Sequence, residues 1–295
     1  MKIETQQISF PILKEKKINI FIKRIDQVHE HVSGNKWYKL KYNIIEAKRR
    51  KAKSILTFGG AYSNHISATS YLAKENGFDS IGIIRGEEHF PLNPTLNFAV
   101  SNGMNIHYIS RRDYKLKHTA EFLESLKDRY DNFYLIPEGG SNQFALKGCS
   151  EIIDINDTHD YVCCAVGTGS TIAGVINSLN VNQRAVGFSA VNDIYWLRRN
   201  ISEWTNKNNW EILNNYTGGG YAKINQELVD FIDNFYKSQG VGLDVVYTGK
   251  MMFGILDLVA KDFFPKGTSI LALHTGGLQG NKGMNQRFNF QLPVC

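Results

Sequence analysis

From Ser54 onward the chain alternates short apolar runs with amphipathic runs of helical period, and that alternation leaves few folds open. Ser54–Phe58 is apolar and stops at Gly59-Gly60; Ser63–Lys74 then sets Ile66, Ala68, Tyr71 and Leu72 at helical spacing and ends at Asn76-Gly77. Ser80–Arg85, Asn105–Ile109 and Phe133–Ile136 repeat the strand pattern, with helical stretches at Thr95–Asn102 and Thr119–Tyr130 between them. A second series opens with the continuous apolar run Tyr161–Val166, continues through a helix at Ile172–Leu179, and reaches a strand at Arg184–Ala190. Helices at Asn225–Gln239 and Lys250–Lys261 follow, and a last strand at Ser269–His274. Ahead of the first series, alternating runs around Ile8–Leu13 and Ile18–Arg24 read as short strands, and an amphipathic helix runs from Lys36 through Leu40, Ile44, Ile45 and Ala47. Gly218–Gly220 and the polar stretch Asn206–Asn209 read as loops. Strands alternating with helices predict parallel sheets joined by right-handed crossovers. The expected fold is therefore α/β, with two open parallel-sheet domains and a ligand site in the cleft between them, beyond the strands' carboxyl ends.

Charge and cysteine usage narrow the function. Lys and Arg number 34 against 28 Asp and Glu, a formal charge of +6, which suits either nucleic acid or anionic small molecules. The densest basic run, Lys48–Lys51, ends an amphipathic helix, where cations complement the helix dipole and face solvent. The other basic residues are spread along the chain, which argues against a nucleic-acid module. No apolar run approaches the ~20 residues that span a bilayer, and Met1–Thr5 lacks the apolar core of a signal peptide. Of the four cysteines, Cys163 and Cys164 are strand neighbours pointing to opposite faces, while Cys149 and Cys295 stand alone. No CxxC spacing suggests a metal. A reduced, cytoplasmic protein is expected.

Five strand-end loops and one lysine carry the chemistry. Lys36 follows Gly34-Asn35 where a helix opens; partial burial there would favour its neutral, nucleophilic form. Gly167-Thr168-Gly169-Ser170-Thr171 lies between a strand and a helix, and its free N–H groups suit a phosphate, though a tight turn explains it equally. It lacks the lysine of a P-loop and the GxGxxG spacing. Gly59–His65 offers a hydroxyl, an amide and a helix N-terminus to a carboxylate; the alternative is a plain serine N-cap. Glu138–Asn142, Val246–Lys250 and His274–Gly277 complete the set. Tyr247 reads as packing or as a catalytic phenol.

In order and spacing these segments resemble the 1-aminocyclopropane-1-carboxylate (ACC) deaminase/D-cysteine desulfhydrase family of pyridoxal-phosphate (PLP) enzymes, in the tryptophan-synthase-β, fold type II group. Gly34-Asn35-Lys36 with Lys39-Leu40 is similar to the family's GGNKxRKL, which implies that Lys36 carries PLP covalently. Gly59–His65 resembles GGxQSNH, implying that Ser63, Asn64 and His65 bind substrate, that Ser63 is also catalytic and that Asn64 also meets the cofactor ring hydroxyl. Pro137–Asn142 resembles PEGGSN. Gly167, Thr168, Gly169, Ser170 and Thr171 look like the phosphate loop. Tyr247-Thr248-Gly249-Lys250 resembles the Y[ET]GK segment, with Tyr247 catalytic, and His274–Gly277 the C-terminal HTGG. Tyr221 stands where the family has a second active-site tyrosine. Tyr62 and Trp37-Tyr38 depart from the family's Gln and Thr-Arg, and residues 192–216 are fewer than in typical deaminases. The resemblance further implies a large domain of residues 1–39 plus 146–295, an inserted domain of 40–145, a small amino-acid substrate and a homodimer.

Substrate choice turns on two positions. ACC deaminases resemble one another in having Glu after the tyrosine and Leu between His and Gly-Gly, beside the pyridine nitrogen. Thr248 and Thr275 occupy those positions here, as in D-cysteine desulfhydrases. A hydroxyl only hydrogen-bonds the nitrogen, so the weaker electron sink suits a good leaving group such as thiolate. β-Elimination from D-cysteine is the first expectation and ACC deamination the second.

Overall fold

A computed structural model describes residues 3–294; Met1, Lys2 and Cys295 lie outside the described residues. The chain opens with β1 (Thr5–Ile8), α1 (Pro11–Lys16) and β2 (Asn19–Lys23), then α2 (Asn35–Arg49). The first alternating series is β3 (Ser54–Gly60), α3 (Asn64–Glu75), β4 (Asp79–Arg85), α4 (Pro94–Ser101), β5 (Met104–Ile109), α5 (Ala120–Arg129) and β6 (Phe133–Ile136). After α6 (Gln143–Cys149) the second series runs β7 (Tyr161–Val166), α7 (Ser170–Ser178), β8 (Arg184–Ser189), α8 (Ile194–Ser202) and β9 (Trp210–Leu213). Helices α9 (Gln226–Gln239) and α10 (Thr248–Ala260), strand β10 (Ser269–Leu273) and helix α11 (Leu278–Phe288) complete it.

Two sheets result, one ordered β1-β2-β10-β7-β8-β9 and the other β5-β4-β3-β6. Every pairing is parallel except β1 with β2, so the expected parallel architecture holds with one antiparallel edge strand. The larger sheet is buried on both faces, which explains its unbroken apolar strands. Ile20, Ile22, Cys163, Ala165 and Phe188 pack toward α9 and α10. Val162, Cys164, Val166, Leu271 and Leu273 pack toward α7 and α8. The adjacent Cys163 and Cys164 thus enter opposite cores, and with Cys149 they are free and buried. No helix among the described residues is long and apolar enough to cross a membrane.

Several local expectations are corrected. The run Ile8–Leu13 is not one strand: β1 ends at Ile8 and α1 begins at Pro11, whose fixed φ suits the first helical position. Leu13 is then buried while Phe10 and Ile12 pack beside it. Helices α6 and α8 and strand β9 are further elements that the sequence reading did not include. Helix α11, with Gly280, Gly283, Asn281 and Asn285, has poor helical propensity, and tertiary contacts override it. Its Asn281 is buried and donates to Leu243 O at 3.0 Å and Pro293 O at 2.7 Å. Lys48–Lys51 is the solvated helix end expected, with Arg49 and Arg50 both paired to Glu46.

Candidate active site

The carboxyl ends of β3, β4 and β6 from one sheet face those of β7, β8 and β10 from the other. Between them lies a cavity of about 600 Å³. Of the thirteen residues expected at a site, Lys36, Ser63, Asn64, His65, Gly167, Thr168, Gly169, Thr171, Tyr221, Tyr247 and Thr275 line it. Ser170 and Thr248 do not.

Lys36 stands in the first turn of α2, and its place depends on the residue two before it. Gly34 has φ +65°, and a Cβ there would overlap the Thr275 carbonyl, so only glycine lets α2 start against the end of β10. Asn35 N donates to that carbonyl at 3.4 Å and Gly34 N to Ile25 O at 3.1 Å. Burial, reinforced by the neighbouring Lys39 cation, lowers the Lys36 pKa to about 7. The nearby Cys149 and Cys164 thiols are pushed up to about 11 and about 12, chiefly by burial, so they stay neutral. At physiological pH about half of the Lys36 amine is therefore uncharged. In cofactor-free protein, acylation of Lys36 followed by peptide mass spectrometry should rise with a midpoint near pH 7, against ~10 for surface lysines. A midpoint near 10 at Lys36 would contradict the buried setting.

Lys39, one turn on, is a residue that sequence reading left without a role. It is 2% exposed and donates to Gly139 O at 2.9 Å and to Thr168 Oγ1 at 3.4 Å. Desolvation lowers its pKa to about 8, which leaves it mostly cationic at neutral pH. The hints in sequence were its place in the segment resembling GGNKxRKL and its spacing, i+3 from Lys36 and so on the same helix face.

The loop after β7 forms a cradle. Gly169 is the N-cap of α7 at φ +94°, with no side-chain cap bond, so the first N–H groups of α7 are left for a ligand. Asn35 Nδ2 donates to Thr171 Oγ1 at 2.7 Å, and the Thr168 and Ser141 hydroxyls are 2.6 Å apart. Ser170 is fully buried behind the loop, its hydroxyl 3.0 Å from that of Ser141, so it supports the cradle from outside the cavity. Free N–H groups, two threonine hydroxyls and the Lys39 ammonium make a donor set that fits a phosphate monoester. With Lys36 across the cavity, the residues present fit PLP.

The loop after β3 forms the serine N-cap and also lines the cavity. Ser63 caps α3, accepting from His65 N at 3.2 Å and Ile66 N at 3.3 Å, and keeps its own O–H to donate into the cavity. Asn64 Oδ1 accepts from Gln279 Nε2 at 3.1 Å. His65 is 1% exposed and its tautomer follows from its neighbours. Thr57 Oγ1 must donate to the Ile136 carbonyl at 2.8 Å, so it accepts from His65 Nε2–H, also 2.8 Å away. His65 Nδ1 then presents a lone pair with no partner among the described residues. Burial, then the Lys36 and Lys39 cations, hold its pKa well below the usual histidine range.

Thr248 departs from expectation. It is fully buried and does not reach the cavity; its hydroxyl donates to Asp244 Oδ1 at 2.7 Å and accepts from Asp244 N at 2.8 Å. Asp244, unnoticed in the sequence, does line the wall. Its Oδ1 also accepts from Thr248 N at 2.8 Å, and its Oδ2 from Val246 N and Tyr247 N, both at 2.9 Å. It lies four positions before the start of α10, and no sequence motif marks it. Thr275 lines the cavity as expected.

Tyr247 N-caps α10, and its phenol points to that of Tyr221, 3.5 Å away. Burial first, and then each other's proximity and the Asp244 and Glu138 carboxylates, raise the Tyr247 pKa well above 10. Tyr221 is also raised, chiefly by desolvation. Both phenols hold their protons at neutral pH. Toward the mouth lie Arg85, Glu138, Trp196 and Arg287, with Glu138 paired to Lys117 at 3.2 Å.

Comparison with known proteins identifies the family. The family described as pyridoxal-phosphate dependent enzyme matches residues 3–276. A Pyrococcus furiosus protein named provisionally as a 1-aminocyclopropane-1-carboxylate deaminase is 31% identical over 283 residues, spanning 89% of this chain and 85% of its own. The Arabidopsis thaliana mitochondrial bifunctional D-cysteine desulfhydrase/1-aminocyclopropane-1-carboxylate deaminase is 30% identical over 295 residues, covering 88% of this chain and 73% of that protein. A crystal structure of an ACC deaminase homologue superposes with a TM-score of 0.83 at 28% identity, covering 97% of this chain and 93% of its own. The chain belongs to the pyridoxal-phosphate dependent enzymes, in the family that holds the ACC deaminases and D-cysteine desulfhydrases.

Proposed function

We propose that the enzyme eliminates thiolate from D-cysteine or a similar small amino acid, giving pyruvate, ammonia and sulfide. The observation that carries this reading is the state of Asp244. A carboxylate offers about four lone-pair sites, and Asp244 has all four taken by Val246 N, Tyr247 N, Thr248 N and Thr248 Oγ1. It has no site left for a ring N–H. The other acid lining the cavity among the described residues, Glu138, sits on the opposite sheet and pairs with Lys117. On the wall where family correspondence places the pyridine nitrogen, the free side-chain partner is the neutral Thr275. That favours substrates whose leaving group departs readily over an unactivated cyclopropane.

When bound, PLP supplies an electron sink for charge developing at the substrate Cα. The chain supplies the rest. Helix α7 with Lys39, Thr168 and Thr171 holds the phosphate, while Ser63, Asn64 and the start of α3, backed by His65, hold the substrate carboxylate. Lys36, with a pKa of about 7, takes the Cα proton. Tyr247 and Tyr221, both protonated, donate to the departing sulfur. The support for a division into domains 1–39 plus 146–295 and 40–145 is that β3 to β6 all fall within residues 54–136. Three free buried thiols suit a reducing compartment such as the cytoplasm.

The test is product analysis. D-Cysteine should yield sulfide and pyruvate, ACC little ammonia, and Tyr247→Phe should cost ~10²–10⁴-fold in rate on D-cysteine. The second reading, ACC deamination, is favoured by the name of the Pyrococcus furiosus relative, whereas the Arabidopsis thaliana relative is named for both activities; robust ACC turnover with D-cysteine inert would establish it instead.

A further inference from the structure

One buried cation near the site is used by none of these steps. Lys250, in the first turn of α10 three residues after Tyr247, is 4% exposed. Among the described residues no carboxylate lies within ion-pair distance of its amine. Its Nζ donates instead to two backbone carbonyls, Thr217 O at 2.6 Å and Gly220 O at 3.1 Å. Burying an ammonium without an acidic partner is costly. Desolvation accordingly lowers its pKa to about 8, partly offset by the Asp244 charge.

The loop that Lys250 grips could not hold a single shape unaided. Gly218, Gly219, Gly220 and Ala222 have φ of +63°, +94°, +130° and +55°, and three consecutive glycines lose more conformational freedom on ordering than any other sequence. The loop's other ties are few: Gly220 N to Thr217 O at 3.2 Å, Lys223 N to Gly220 O at 3.1 Å, and Asn192 Nδ2 to Gly219 O at 3.4 Å. Thr217 and Gly220 bracket the glycines, and the next residue is Tyr221, whose hydroxyl meets Tyr247. Lys250 and the Tyr247 that Tyr221 meets therefore share one helix end: Tyr247 is the N-cap of α10 and Lys250 lies three residues later.

We infer that Lys250 is a positioning residue, whose ammonium clamps the 217–222 loop to α10 and so keeps the Tyr221 phenol on the Tyr247 phenol. This rests on the reading that the tyrosine pair serves the substrate. A displacement of about 1 Å at a reacting group costs on the order of 10²-fold in rate, so a slack loop should be visible in turnover.

The experiment is a double-mutant cycle on the PLP-loaded enzyme, with D-cysteine as substrate and amide hydrogen exchange as a second readout. Lys250→Met should lower kcat by ~10–100-fold, leave PLP content unchanged, and speed exchange in residues 217–223 by ~10-fold or more while the rest of α10 stays protected. In a Tyr221→Phe background the same substitution should cost less than ~2-fold in kcat, because the group being positioned is gone. Where Lys250→Met fails to fold, Lys250→Arg, which keeps donors for both carbonyls, should hold loop exchange and kcat within ~3-fold of the parent. Equal losses in both backgrounds, or loop exchange unchanged by Lys250→Met, would overturn the inference. An error in the D-cysteine reading would show separately, as a parent enzyme inert toward D-cysteine whose loop exchange still responds to Lys250→Met.

Discussion

Lys36→Ala is expected to abolish turnover and leave the fold standing, because it removes the one cavity amine with a pKa of about 7 and nothing that α2 needs to pack. Borohydride reduction of the parent protein should leave PLP fixed to the peptide containing Lys36, and the visible absorption of the bound cofactor should be lost in the variant. Label on a peptide carrying another lysine would overturn the assignment; Lys39, in the same helix, is the stringent control. The stability of cofactor-free protein adds an independent check. The Lys36 pKa falls from 10.5 to about 7 on burial, so between those values the unfolded chain binds more protons and parent stability rises with pH. Below pH 7 the cost of burying the ammonium is fully present. The variant's advantage in Tm over the parent should therefore be largest below pH 7 and fade toward pH 10.5. A pH-independent difference would mean that Lys36 is not desolvated.

Lys39→Met should have two separable effects. A charge-assisted hydrogen bond is worth about 1.5–3 kcal/mol, so losing the ammonium from the cradle should weaken PLP retention by ~10–150-fold, measured by dialysis and cofactor absorbance. The same change removes the cation that is, after burial, the main cause of the low Lys36 pKa. The Lys36 titration midpoint should then move upward from about 7 while staying below the free-lysine value, because desolvation remains. Unchanged PLP retention together with an unchanged midpoint would reduce Lys39 to a cross-link between Gly139 and Thr168.

Much of the site was legible because its parts are local. A glycine before Asn35-Lys36 and another at 169 mark turns whose backbone only glycine adopts comfortably, and those turns lie at strand ends in any reading of the alternation. What the glycines face was not legible. A Cβ on Gly169 would meet Ile201 Cγ1 at 3.0 Å and Leu197 Cδ1 at 3.4 Å. A side chain there would thus press into the apolar core against α8. Thr248 shows the same limit. Its identity suggested a hydroxyl for the cofactor ring, yet that hydroxyl is closed onto Asp244, four residues earlier and without any motif of its own.

The order of strands and helices, the parallel sheets and the lysine at the head of α2 follow from periodicity and turn chemistry, which act over a few residues and are written where they act. The position of α11, the lowered pKa values of Lys36 and Lys39, the saturation of Asp244 and the grip of Lys250 on Thr217 and Gly220 do not. Each depends on segments far apart in the chain meeting where water is excluded. Desolvation and hydrogen-bond satisfaction belong to that meeting of segments, and only the tertiary structure decides them.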